Sequence, residues 1–248
     1  MKIIKEVLGR IFALWGLIVF AGSLLIASIP IWITAAWSEP KRTVIFFKVV
    51  RVWMKVFFTL SGVRRIIKGK EHLKKCENYV VVFNHNSFMD VPLSVDAVPA
   101  NKTIAKAEMA KIPVFGMIYK RGSVLVDRKS EESRRHSFSK MKSVLQMGLN
   151  MCIYPEGTRN TTSEPLQRFH DGAFKLAIES KKPIIPSLIF YTKKVLPRKP
   201  FFFWPHKVEI HFLPPVSIED KTSQQLKDEV FLIMKNYLVN SGKWKAEY

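Results

Sequence analysis

Tyr79-Val80-Val81-Val82-Phe83-Asn84-His85-Asn86-Ser87-Phe88-Met89-Asp90 runs five consecutive apolar residues into a polar loop. An unbroken β-branched and aromatic run of this length reads as a buried strand. The loop after a buried strand in an α/β sheet opens toward ligands, so His85 is presented at the mouth of a sheet. Ser87 is a candidate N-cap, which places Asp90 near the third position of the following helix. Side chains there lean back toward the helix start, within reach of His85 Nδ1. His85 Nε2 would then be free to take a proton from a hydroxyl. The same residues also fit a plainer reading, in which Asp90 complements a helix dipole and His85 is a loop residue.

Outward from this stretch the pattern alternates. Strands are expected at Arg64–Ile67, Tyr79–Phe83, Thr103–Ala105, Ser123–Asp127, Met151–Tyr154, Ile184–Phe190 and Lys207–Leu213. Helices are expected at Ser87–Val95, Met109–Tyr119, Glu131–Leu149, Gly172–Ser180 and Lys221–Asn240. Strands alternating with helices imply an α/β fold: a mixed, mostly parallel sheet covered by helices on both faces. The 248 residues, 48% of them apolar, suffice for one such domain with an appendage. The division is 1–61, membrane-associated helices, and 62–248, the α/β domain.

The appendage is apolar. From Ile11 to Ser38 there is no charged residue, a run of 28 positions. A membrane helix needs about 20, and a signal-peptide core only about 7–15. Basic residues flank the run on both sides, so the charges give a single span no clear orientation. A hairpin bent near Pro30 with both ends in the cytoplasm satisfies them, as does a run dipping into one leaflet. In Thr43–Leu60, Lys48, Arg51 and Lys55 recur at helical spacing among apolar residues. That is the pattern of an interfacial helix, or of a core helix with a cationic stripe in water. Forty Lys and Arg against twenty Asp and Glu give a net charge of +20. Of this, +11 falls within residues 1–75, beside the apolar run. An anionic membrane surface fits that placement, and no nucleic-acid-binding motif is present.

Other motifs follow apolar runs. Tyr154-Pro155-Glu156-Gly157-Thr158-Arg159 offers a tight turn and a planar guanidinium suited to phosphate, and its Glu156 could accept hydrogen bonds from a substrate hydroxyl or fix the turn. Asp127-Arg128 and Lys106 also stand at strand ends, where surface exposure alone would equally explain them. Cys76 and Cys152 form no metal or redox motif, and no nucleophile elbow or phosphate loop occurs.

In this order the motifs resemble the glycerolipid acyltransferase family, in particular its 1-acyl-sn-glycerol-3-phosphate acyltransferases. Asn84-His85 through Asp90 is similar to the family's Asn-His-x-x-x-x-Asp. Gly116 through Arg128 resembles its glycine-to-arginine strand motif, Glu156-Gly157-Thr158-Arg159 its Glu-Gly-Thr-Arg, and Ile184-Ile185-Pro186-Ser187 its apolar segment around a proline. The resemblance covers roughly Val63 to Pro215. It implies acyl transfer from acyl-CoA or acyl carrier protein to the 2-hydroxyl of lysophosphatidic acid, giving phosphatidic acid. His85 is then the general base and Asp90 its orienting partner. Arg128, Arg159 and Lys106 hold the phosphate, while Glu156, Gly157 and Thr158 shape the acceptor pocket. No cofactor or metal is implied, and the membrane site faces the cytoplasm. The alternatives are another acceptor, such as glycerol 3-phosphate or another lyso-lipid, or a non-catalytic protein that binds anionic lipid.

Overall fold

The structure, a computed structural model, describes residues 2–127 and 129–247. Its centre is a seven-stranded sheet of β1 (Arg64–Lys68), β2 (Val80–Phe83), β3 (Asn101–Lys106), β4 (Ser123–Val126), β5 (Asn150–Ile153), β6 (Ile184–Phe190) and β7 (Lys207–Phe212). The spatial order is β1-β7-β6-β2-β5-β3-β4. Only β6 and β7 pair antiparallel, so the sheet is mixed and mostly parallel, as expected. β2, β5 and β6 are buried along their whole length. Strands covered on both faces have no polar side to alternate with, which is why these segments read as continuous apolar runs.

The connections explain where the site forms. From β2 the chain moves past β5 to β3 and β4, then returns through β5 and crosses β2 to β6. The direction reverses beside β2, and such reversals leave a crevice at the carboxyl ends of the strands. One side chain clamps that point. Asn84, fully buried, donates to Ile189 O at 3.0 Å and accepts the Ile189 N–H at 2.7 Å.

One face of the sheet carries α5 (Glu131–Gln146), α6 (Gly172–Ser180) and α8 (Ser223–Ser241) around Val80, Met151, Leu176 and Leu226. The other carries α1 (Lys2–Ile33), α2 (Lys41–Leu60), α3 (Asp90–Ala97) and α4 (Phe115–Gly122). The short α7 (Thr192–Val195) follows β6.

Three sequence expectations change. The apolar run does not bend at Pro30: α1 continues through it to Ile33, and the reversal comes between Thr34 and Pro40. Arg121 of α4 donates to the Ile31 carbonyl and the Thr34 hydroxyl, satisfying a carbonyl left open where α1 ends. The apolar face of α2 is largely core. Phe46, Phe47, Val50, Trp53, Met54, Phe57 and Phe58 are buried, while Lys48 and Lys55 face outward. The helix expected over Met109–Tyr119 is two pieces, a 3-10 turn at Ala107–Lys111 and α4. Pro113 and a Val114 at positive φ (58°) separate them. At Gly116 a Cβ would lie 2.3 Å from Ala110 O, so only glycine fits the fold-back.

At 1.5 Å per residue the 32 residues of α1 extend about 48 Å. Its inner edge packs on the domain through Val19, Ala27 and Ile31. Trp53 Nε1 donates to Ser23 Oγ at 3.0 Å, and Trp15 Nε1 to Leu60 O at 2.8 Å. The outer edge exposes Ile3, Val7, Ile11, Ile18, Ile26 and Trp32 to the surroundings. An apolar strip of that length is what a hydrocarbon medium would cover.

Replacing Asn84 by Ala removes both bonds of the β2–β6 clamp and orphans two buried backbone groups. The unfolding free energy should fall by roughly 2–4 kcal/mol, read as a lower denaturant midpoint in detergent. A loss within about 0.5 kcal/mol would mean the clamp contributes nothing.

Candidate active site

Four adjacent strands, β6, β2, β5 and β3, end along one edge, and the site is assembled from residues at or just beyond those strand ends. Thr192 comes after β6, His85 after β2, Glu156 to Arg159 after β5, and Lys106 closes β3. The structure brings all of these together; the sequence-predicted Arg128 lies outside the described residues.

His85 Nδ1 lies 2.8 Å from Asp90 Oδ2. The Asp90 carboxylate is fully buried, and a charge there persists only if every oxygen finds donors. Oδ2 also accepts the N–H groups of Asn86 at 2.5 Å and Ser87 at 2.7 Å. Oδ1 accepts the Thr192 hydroxyl at 2.5 Å. A carboxylate only accepts, so the His85 proton sits on Nδ1 and Nε2 presents a lone pair. The helix start differs from expectation. Met89, not Ser87, is the cap, and Asp90 is the first residue of α3. Asp90 still reaches His85 because the Asn86–Met89 turn wraps its backbone donors around the carboxylate. Ser87 Oγ accepts the Met89 N–H at 3.2 Å and donates to Leu196 O at 2.6 Å.

The imidazole plane is set by Tyr154, whose ring centroid is 4.5 Å away at an interplanar angle of 36°. The Tyr154 hydroxyl shares a 2.8 Å bond with Ser94. Burial, reinforced by the Asp90 charge, pushes this phenol well above its ordinary range, so it stays neutral.

Of the two parts the sequence leaves open to Glu156, an acceptor in the pocket or a fixer of the turn, its contacts match the second. Its carboxylate is buried and does not line the cavity beside His85; instead it takes the His85 N–H at 2.8 Å and the Gln167 N–H at 2.9 Å. The His85 carbonyl in turn accepts the Asn160 N–H at 2.6 Å. The turn after β5 therefore grips the main chain of the histidine at both ends. Burial pushes the Glu156 carboxyl up to about 7, against the lowering effect of its two backbone donors.

Gly157, Thr158 and Arg159 line the cavity, as does the exposed Lys106. The Arg159 guanidinium sits 3.8 Å from the Phe88 ring centroid. Burial, then the like charge of Arg198, lowers its pKa, yet arginine remains charged. The cavity holds about 750 Å³. Its walls are mainly apolar, with Phe20 from α1, Trp53 from α2, Met89 before α3, Phe115 from α4, and Phe202 and Phe203. The aromatic run Phe201-Phe202-Phe203-Trp204 thus supplies part of the wall, Phe202 and Phe203 being buried against α1. Among the described residues no group of three or more His, Cys, Asp or Glu side chains is placed to hold a metal ion.

Tyr154, Asn160, Gln167 and Thr192 were not singled out from the sequence. Thr192 carries a usable signal, since it stands two residues past the end of a buried strand. The others are visible only through contacts made across the fold.

A family model described as Acyltransferase matches residues 64–190, half of the chain. The chain is 31% identical over 189 residues to 1-acyl-sn-glycerol-3-phosphate acyltransferase alpha of Mus musculus, covering 73% of this chain and 65% of that protein. It therefore spans just under two thirds of that relative's length. It is 26% identical over 195 residues to 1-acyl-sn-glycerol-3-phosphate acyltransferase of Borreliella burgdorferi, covering 78% of this chain and 77% of that one. The crystal structure of the 1-acyl-sn-glycerophosphate (LPA) acyltransferase PlsC from Thermotoga maritima matches in fold. Its TM-score is 0.83 at 22% identity, over 96% of this chain and 98% of that one. The chain belongs to the acyltransferase family.

The Glu156 carboxyl, moved from an ordinary 4.5 to about 7, gives a stability signature with a definite sign. Between those values the folded state holds a proton that the unfolded chain has released, so stability falls as pH rises from about 4.5 to 7. At about 1.4 kcal/mol per pH unit the whole effect is on the order of 3 kcal/mol. Denaturant midpoints across this window should show that falling component in the wild type and not in Glu156→Gln. Parallel profiles for the two proteins would refute it.

Proposed function

We propose that this acyltransferase-family member moves a fatty acyl chain from a thioester, acyl-CoA or acyl carrier protein, to the 2-hydroxyl of lysophosphatidic acid, giving phosphatidic acid. One observation carries the reading: His85, held by Asp90, opens onto a large apolar cavity whose wall includes the cations Lys106 and Arg159. That combination suits a hydroxyl beside a phosphate together with an alkyl chain. The activity named for the similar mouse and Borreliella proteins agrees with it.

In this mechanism His85 Nε2 takes the proton of the acceptor hydroxyl as its oxygen attacks the thioester carbonyl. Asp90 holds the tautomer and stabilises the imidazolium that forms. Collapse of the tetrahedral intermediate breaks the carbon–sulfur bond, and the imidazolium returns its proton to the thiolate. A thioester is already activated, so the reading invokes no metal or cofactor. Lys106 and Arg159 bind the acceptor phosphate, with Arg128 proposed as a third cation. Gly157 and Thr158 shape the acceptor pocket.

The two lipid chains have unequal needs. The acceptor keeps its own chain in the bilayer and gains little by moving it to a protein cavity. The donor chain arrives from water, where burial is worth about 0.8 kcal/mol per methylene. The apolar cavity is therefore assigned to the donor chain. The outer face of α1 is assigned to the membrane, with the site on its cytoplasmic face at headgroup depth.

The test is release of free thiol from acyl-CoA that depends on lysophosphatidic acid. His85→Ala should lower turnover by about 10²–10⁴-fold with vesicle binding unchanged. Arg159→Ala should mainly raise the acceptor KM, by roughly tenfold or more, because a ground-state contact to a charge is lost. Transfer to glycerol 3-phosphate in place of lysophosphatidic acid would move the assignment to another acceptor. No thiol release with any acceptor would leave a lipid-binding protein instead.

A further inference from the structure

Asp90 divides its partners unevenly. Oδ2 receives three donors, from His85, Asn86 and Ser87, whereas Oδ1 receives the Thr192 hydroxyl. Rotation about the Cβ–Cγ bond moves both oxygens together, so the donors on Oδ2 and the Thr192 hydroxyl on Oδ1 restrain one torsion from opposite sides. Without the hydroxyl, Oδ1 would lose its donor in a buried site and the carboxylate could turn to bring that oxygen toward the donors crowded on Oδ2, shifting the lone-pair direction offered to His85 Nδ1.

Thr192 is built for that single contact. It is wholly buried and forms no part of the cavity wall. The chain delivers it abruptly: β6 ends at Phe190, and Tyr191 adopts a left-handed conformation (φ 68°) that turns the next residue into α7. A bulky residue there costs on the order of 1 kcal/mol or more, and the turn brings the Thr192 hydroxyl to Asp90. The position lies 102 residues beyond Asp90, so no local motif encodes the pairing.

We propose that Thr192 is a positioning residue for the His85–Asp90 dyad, orienting the Asp90 carboxylate by donating to Oδ1. The proposal deepens the acyl-transfer reading and, for its kinetic consequence, rests on it.

Thr192→Val keeps the shape and removes the hydroxyl, Thr192→Ala removes it with less crowding, and Thr192→Ser keeps it. In the full-length protein in detergent micelles, the Val and Ala variants should lose roughly ten- to hundredfold in kcat. Donor and acceptor KM should stay within about twofold, and Ser should restore turnover. A Ser variant as impaired as Val, or a Val or Ala variant with unchanged kcat, overturns the proposal. A second readout does not need turnover. The low-field proton signal of the His85 Nδ1–H, identified by its loss in His85→Ala, should persist in Ser and broaden or vanish in Val and Ala. Its persistence unchanged in Val and Ala likewise overturns the proposal. A wild type that transfers no acyl chain to lysophosphatidic acid sinks the acyl-transfer reading alone, and the proton signal then decides the role of Thr192.

Discussion

A carboxylate without access to water has to be matched by donors, and at Asp90 that requirement organises the whole site. Its two oxygens take two backbone N–H groups, one imidazole and one hydroxyl. The backbone donors force the tight Asn86–Met89 turn, the imidazole makes Nε2 the free face of His85, and the hydroxyl draws in the segment after β6. Removing any one of them would strand part of a buried charge, which is far more costly than losing an exposed contact. Glu156 repeats the device one strand away, as a buried carboxylate committed to main-chain donors, and through it the turn after β5 holds the histidine backbone. Loops from neighbouring strands thus share acceptors, and the site is braced by those shared bonds.

The apolar half of the site has a different origin. α1 and α2 cover the sheet face on which the His85 loop opens, and the cavity is the space that they and α3 and α4 leave unfilled. Close-packed interiors seldom leave a void of this size in the absence of a ligand for it. The helical hairpin is therefore part of the site and not merely an anchor beside it. This also explains why the cationic stripe and the apolar face of α2 are both pronounced. The apolar face fills the core below while Lys48 and Lys55 stay outside.

The fold was legible in the sequence wherever local pattern and tertiary role coincide. All seven strands were read within a few residues, because a strand buried on both faces announces itself as an apolar run bounded by breakers. His85, Lys106 and Arg159 are readable as polar residues at or just past strand ends in the same way, and Asp90 as an acidic residue at the start of the next helix. What escaped depends on contacts between distant segments. Periodicity cannot say whether the apolar side of Thr43–Leu60 meets lipid or a sheet, since both are dry. Local pattern leaves Glu156 between the pocket and the turn, and only its two backbone donors, one of them 71 residues away, decide for the turn. The break at Pro113 and Val114 was hidden by the helical spacing on either side. Thr192 and Tyr154 touch the dyad only once the sheet order places β6 and β5 on either side of β2.

The segment from Tyr191 to Trp204 brings these threads together. At one end Thr192 donates to Asp90, and the Leu196 carbonyl accepts from Ser87. In the middle the Trp204 N–H closes back on Val195 O at 2.9 Å, which makes the segment a compact strap. At the other end the Phe203 N–H donates to Gly9 O at 3.0 Å, Lys199 pairs with Glu6, and Phe202 packs so closely on Gly9 that a Cβ there would lie 2.1 Å from its ring. A glycine is needed on α1 because the strap lies directly against the helix backbone. The same strap contributes Phe202 and Phe203 to the cavity wall. One short segment thus fastens the apolar helix, closes the apolar cavity and supplies the last donor to the buried carboxylate. The seating of α1 and the geometry of His85 are consequently parts of a single packed unit.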